Sequence, residues 1–236
     1  LRQVLAVGSA CIAYSLLIRP GAPVSFGAFV TSIDMNSGAP TFGTPEASQI
    51  TYGAGQLARR LGLPFRSAGS FTGSKLPDAQ AAYETANSLN MGLLSGVNFM
   101  LHACGWMEGG LVSSFEKFVM DADQLGTLHK MAQGVAVDED AQAMDAIAEV
   151  GPGGHYLGCA HTQANFKTAF WRSDVFDFKP YETWSEEGSR DTMALASERV
   201  QHMLDTYQQP AMDPAIREQL VEYVTKKKAS MPDAFM

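Results

Sequence analysis

Apolar residues in the first half of the chain come in short runs, each followed by a polar or glycine-rich turn and then by a stretch of helical periodicity. Residues 1–18 read as an amphipathic helix already under way, so the chain is expected to start inside a domain. The first strand-then-helix unit has an apolar run at 24–30. Its helix starts near Pro45 and carries Ile50, Ala54, Leu57, Ala58 and Leu61 on one face, with Gly62 as the stop. The second has a strand at 65–70 and a helix from about Asp78, with Ala79, Ala82, Tyr83, Ala86, Leu89 and Leu93 as its stripe, ending near Gly96. The third has a strand at 97–101 and a helix over 114–131 that stops near Gly134.

Beyond this point the pattern turns helical. Residues 138–150 place Ala141, Met144, Ile147 and Ala148 inward, and 155–159 read as one more short strand. Helices are predicted at 162–171, 181–207 and 213–228, the last with Ile216, Leu220 and Val224 as its core face. No linker precedes residue 181, so the helices after it are expected to pack on the preceding units as one domain. Residues 1–160 would form the strand–helix units and 161–236 the helices of the carboxyl-terminal end.

Successive strand–helix units imply a parallel sheet, and such a sheet keeps its chemistry at the carboxyl ends of its strands. Collecting the polar residues there gives Asp34 and Asn36 after the first strand. The second contributes Ser70, Thr72, Lys75 and Asp78, and the third His102, Trp106 and Glu108. Asp78 also reads as a helix cap and Asn36 as part of an Asn-Ser-Gly turn. His102 reads equally as a site residue or a satisfied core histidine. Phe71, Trp106 and Tyr156 flank polar turns, where aromatic faces could wall a methylated ammonium.

Several classes drop out. The net charge of −8 and pI near 5.1 disfavour nucleic acid, because the one basic run is Lys226-Lys227-Lys228. Arg2, Ser9, Tyr14 and Ser15 interrupt any membrane span in the opening helix. Cys11, Cys104 and Cys159 are odd in number and widely spaced, as reduced cytoplasmic thiols are. Residues 69–75 lack the Gly-Lys-Ser/Thr register of a phosphate loop, and Tyr156 stands where a dinucleotide fingerprint needs its third glycine. His102, Cys104, His155, Cys159 and His161 offer no compact ligand pair for zinc, so no metal site is expected.

The order and spacing of five motifs carry a family resemblance. They are Asp34-Met35-Asn36-Ser37-Gly38, Lys75-Leu76-Pro77-Asp78-Ala79-Gln80, His102-Ala103-Cys104-Gly105-Trp106-Met107-Glu108-Gly109-Gly110, Glu116-Lys117-Phe118-Val119, and the segment 150–162 holding His155, Tyr156 and His161. Together they resemble the carboxyl-terminal half of the trimethylamine:corrinoid methyltransferase family, over about residues 23–223. The resemblance implies a (β/α)8 TIM-type barrel, of which this chain would be the carboxyl-terminal part with extra helices at its end. It also implies methyl transfer from a methylated amine to the cobalt of a corrinoid (cobalamin) carried by a separate small corrinoid protein, with no cofactor held tightly by the chain itself and self-association left open.

Trimethylamine-specific members carry pyrrolysine, whereas relatives without it resemble glycine-betaine-type enzymes acting on quaternary amines. No pyrrolysine occurs in these 236 residues, so a quaternary amine is expected. The roles that follow are His102 and Glu108 as catalytic groups at the polar end of the substrate. Trp106, Tyr156 and Phe71 would wall its cation, with Lys75, Asp34, His155 and His161 nearby. Two rivals remain: a non-catalytic barrel piece that only docks the corrinoid protein, and a metal-dependent lyase or hydrolase on a similar barrel.

Overall fold

The computed structural model describes residues 1–231 and divides into two compact units, one spanning Leu1–Gln201 and a second beginning at His202. The elements of the first half run α1 (Arg2–Ile18), β1 (Phe26–Ala28), β2 (Ser32–Ile33), β3 (Pro40–Thr41), α2 (Pro45–Arg60), β4 (Phe65–Ala68), α3 (Ala79–Leu94), β5 (Phe99–Leu101), β6 (Trp106–Met107), β7 (Val112–Ser113) and α4 (Phe115–Ala132). β1, β4 and β5 form a parallel sheet in that order, with Phe26 opposite Phe65 and Arg66 opposite Phe99. The three strand–helix units are therefore present, with α2 and α3 as the crossovers. Two antiparallel hairpins, β2–β3 and β6–β7, stand beyond the carboxyl ends of β1 and β5 and were not visible in the pattern.

The helix starts and stops follow local chemistry. Pro45 occupies the first turn of α2, Asp78 caps α3 by accepting from Ala81 N, and Ser114 caps α4 by accepting from Lys117 N. Gly62, Gly96 and Gly134 follow α2, α3 and α4 in the left-handed region. An apolar core lies between α1, β1, α2 and β4. Phe26, Ala28, Ala54, Ala58 and Phe65 are buried there, with Val4, Leu5 and Ile12 of α1 against them. Each buried Phe contributes about 1.5–3 kcal/mol.

The stripe expected on α3 is corrected. Ala81, Thr85, Leu89 and Gly92 are buried, while Ala82 and Tyr83 face solvent. The helix packs through small residues at helical spacing, and hydropathy scores Thr and Gly as nothing to bury.

The later part also departs from the pattern. Residues 138–150 form two short helices, α5 (Glu139–Gln142) and α6 (Met144–Val150), broken at Ala143 with φ 50°, and Ala146 is the buried residue. The residues expected inward, Ala141, Met144, Ile147 and Ala148, are exposed. Residues 155–159 form a 3-10 turn at Tyr156–Gly158 and no strand, since the four glycines before residue 159 leave no extended run to pair. α7 (Ala160–Asn165) and α8 (Tyr181–Glu186) are shorter than expected. α9 (Thr192–Asp205) is separated from α8 by Gly188 and Ser189, both at positive φ.

α10 (Pro214–Ala229), in the second unit, is capped by Asp213, with Lys226, Lys227 and Lys228 in its last turn. It buries no residue, so Ile216, Leu220 and Val224 do not form the core face expected of them. Periodicity identifies a face but not a surface to cover it. Among the described residues no helix is long and apolar enough to cross a membrane.

Candidate active site

The parallel sheet brings three turns to one rim, and five rings meet there. Phe71, the residue after Ser70, is the hub. Its ring centroid lies 5.1 Å from Phe42 and 5.6 Å from Trp106, both near-parallel, 5.3 Å from Phe29 edge-on, and 5.0 Å from His102. His102 meets Trp106 edge-on at 5.7 Å and Phe29 at 6.2 Å. Phe71 is buried and Trp106 half-buried, whereas Phe29 is 49% exposed. Such pairs contribute about 0.5–1.5 kcal/mol each beyond area burial, so the cluster is a rigid wall with one open side.

His102 is unusual in two ways. Its backbone sits at φ 53°, a left-handed conformation that costs a non-glycine residue about 1–3 kcal/mol. Its Nδ1 is buried with no hydrogen-bond partner, and an unpaired buried polar atom costs about 1–3 kcal/mol. Main-chain bonds hold it there: Ser70 N donates to His102 O at 2.9 Å, and Ser70 Oγ does so at 3.2 Å. A satisfied core histidine would pair this nitrogen, and Nδ1 is left without a partner.

The β6–β7 turn closes over the cluster. Glu108 N donates to Ser74 O at 2.9 Å and Gly109 N to Thr72 O at 2.8 Å. The turn is thus tied by its main chain, with Glu108 at φ 49°. Gly110, at φ 95°, lies so close to Phe71 that a Cβ there would sit 2.5 Å from the ring. Gly69 plays the matching part after β4, where a Cβ would meet Ala103 Cα at 2.7 Å.

Beside the rings lies a cleft of about 670 Å³ lined by Asp34, Phe42, Lys75, Glu84, Glu108 and Gly109, among others. Its carboxylates differ in their partners. Asp34 is engaged in its own turn, accepting from Ser37 Oγ at 2.6 Å and Asn36 N at 3.2 Å, which hold its carboxyl below the usual range. Glu84 accepts from Thr72 Oγ1, Gly73 N and Gln80 Nε2. Lys75 Nζ donates to Gly73 O at 2.8 Å. Phe42 borders both the cleft and the ring cluster, so the two form one neighbourhood.

The structure therefore brings Asp34, Phe71, Lys75, His102, Trp106 and Glu108 to one rim. It does not bring His155, Tyr156 and His161 there. His155 and Tyr156 are exposed, Tyr156 makes no ring contact among the described residues, and His161 Nε2 pairs with Asp140 O at 2.7 Å beside α5. Among the described residues no three His, Cys, Asp or Glu side chains converge as metal ligands would. Phe29 and Phe42 were missed. Phe29 lies just after β1, near the end of the first apolar run, and was legible as a strand-end ring, but Phe42 arrives through the β2–β3 hairpin, which depends on tertiary contacts.

Comparison with known proteins now decides the family. The family described as trimethylamine methyltransferase (MTTB) matches residues 1–232. The chain belongs to that family. A glycine betaine methyltransferase from Desulfitobacterium hafniense (strain Y51) is 40% identical over 210 residues, 89% of this chain and 44% of that relative. The trimethylamine methyltransferase MttB2 of Methanosarcina mazei is 30% identical over 217 residues, 91% of this chain and 43% of the relative. The trimethylamine methyltransferase MttB of Desulfitobacterium hafniense (strain DSM 10664 / DCB-2) is 31% identical over 196 residues, covering 83% and 39%. The chain thus spans less than half the length of the curated relatives it matches.

Proposed function

We propose that the protein transfers a methyl group from a quaternary amine such as glycine betaine to a corrinoid carried on a small partner protein. The ring cluster at the strand ends carries this reading. It offers aromatic faces and an unpartnered histidine nitrogen beside a cleft with three carboxylates, which is an environment for a methylated cation. The 40% identity to a glycine betaine methyltransferase supports the same substrate class. The three strands would belong to a (β/α)8 barrel, and the three free cysteines support a cytoplasmic location.

The corrinoid supplies the nucleophile that accepts the methyl group. The electron pair of the broken bond stays on nitrogen, so a quaternary ammonium leaves as a neutral tertiary amine and needs no proton. The chain's own task is orientation and exclusion of water. Phe71 has Phe42 and Trp106 stacked on it and acts as the backing, leaving Trp106 and the half-exposed Phe29 to face the cation. His102, whose ring meets Trp106 edge-on, orients the polar end of the substrate, and Glu108, whose carboxylate has no partner among the described residues, balances the positive charge. The open side at Phe29 suits a methyl acceptor arriving on a separate protein.

Calorimetric titration tests the cation wall. Glycine betaine should bind about tenfold more tightly than its uncharged-carbon isostere 3,3-dimethylbutanoate, the equivalent of about 1.4 kcal/mol of cation–ring attraction. Equal affinities would refute the aromatic recognition.

A further inference from the structure

Beneath the ring cluster lies a buried ion pair with no place in the mechanism above. Lys117 and Asp121, one turn apart on α4, are 2% and 5% exposed, and Lys117 Nζ lies 2.5 Å from Asp121 Oδ2. Burying two charges is costly, and replacing such a pair with apolar residues is often neutral or stabilising, so its presence calls for a reason other than stability. Its remaining bonds supply one. Lys117 Nζ donates to Ser70 O at 3.3 Å and Thr85 Oγ1 at 3.0 Å, and Asp121 Oδ2 accepts from Gly105 N at 2.8 Å. Ser70 immediately precedes Phe71 and also holds His102 O, while Gly105 immediately precedes Trp106.

We infer that Lys117 and Asp121 are positioning residues, which set the spacing of the Phe71, His102 and Trp106 rings by gripping the backbone one residue before each stacked ring. The cation holds the turn after β4 and the anion holds the turn after β5, so their mutual attraction fixes the separation of the two turns. Thr85 ties the same ammonium to α3 and itself donates to Ser70 O at 3.3 Å. The Glu116-Lys117-Phe118-Val119 motif thereby gains a physical role at the site, although Lys117 reaches no substrate position itself. The consequence for substrate rests on the function proposed above; the consequence for the rings does not.

The test uses the full chain with two variants. K117M/D121L replaces both charges with apolar groups of similar size, and D121N keeps an oxygen for Gly105 N while removing the charge. Trp106 emission is isolated by subtracting the W106F spectrum in each background, and glycine betaine affinity is measured alongside the thermal unfolding midpoint. We expect K117M/D121L to keep a near-normal midpoint, shift Trp106 emission to longer wavelength and weaken glycine betaine at least tenfold, with D121N intermediate. Unchanged emission and affinity in a folded K117M/D121L would overturn the inference. Failure of both variants to fold would overturn it too, since the pair would then determine the fold and not the ring spacing. If the unsubstituted protein binds no glycine betaine yet Trp106 emission shifts as expected, the positioning role stands and the substrate assignment fails.

Discussion

Single residues at the rim are held by opposing forces that can be separated by measurement. Burial pushes the Cys104 thiol up to about 11, with the neighbouring Asp121 charge adding to the effect and Lys117 opposing it. At pH 8 only about one thiol in a thousand would then be thiolate, the reactive form. Cys104 should therefore resist iodoacetamide in the folded protein while exposed Cys11 reacts, and mass spectrometry should find Cys104 alkylated only after denaturation. Rapid alkylation of Cys104 in the native state would show that the turn after β5 is more open than described. Asp121 is likewise raised by burial, against the pull of Lys117 and of the hydrogen bonds it accepts. Asp78 moves the other way, held low by bonds from Ala81 N and Ser74 Oγ. A depressed carboxyl contributes stability above its unfolded value and loses it as pH falls through the folded value. D78N, which keeps a capping oxygen but cannot titrate, should lower the thermal midpoint at neutral pH and converge on the unsubstituted protein as pH falls, flattening the acid limb of the stability profile. An unaltered acid limb would contradict this.

Elements are positioned by close backbone approach as much as by apolar area. The β6–β7 turn lies on Phe71 because Gly110 has no Cβ and a positive φ. G110A should destabilise the protein by about 1–3 kcal/mol through both strain and overpacking, read as a lower melting temperature. A neutral G110A would mean that the turn does not cover the ring. The boundaries of α2, α3 and α4 were legible because their signals are local: Pro45, Asp78 and Ser114 at the starts, and Gly62, Gly96 and Gly134 at the stops. What those helices bury was less legible. α3 turns Ala81, Thr85 and Gly92 inward, and Thr85 is there for its hydroxyl, which bonds Ser70 O and the Lys117 ammonium. Of the candidate site, His102 and Trp106 could be read from their place after an apolar strand. Lys117 and Asp121 could have been read as a close pair on one helix face, but nothing local marks that face as buried.

At the scale of the molecule, the strand-end rule accounts for six of the proposed residues, and it fails for His155, Tyr156 and His161. His155 and Tyr156 lie in a segment read as a strand whose glycines instead form a turn, and His161 follows on α7, so the register that would have aimed them at the rim does not exist. The proposed methyl transfer rests on family membership and the open ring cluster, and the names of the relatives divide between glycine betaine and trimethylamine. The most direct measurement is the spectroscopic rate of methylation of a reduced corrinoid protein, with glycine betaine and trimethylamine offered separately to the unsubstituted protein and to W106A. The account predicts fast methylation with glycine betaine, much slower methylation with trimethylamine, and loss of the glycine betaine rate by at least tenfold in W106A. Methylation from trimethylamine alone, or a W106A rate equal to that of the unsubstituted protein, would contradict it.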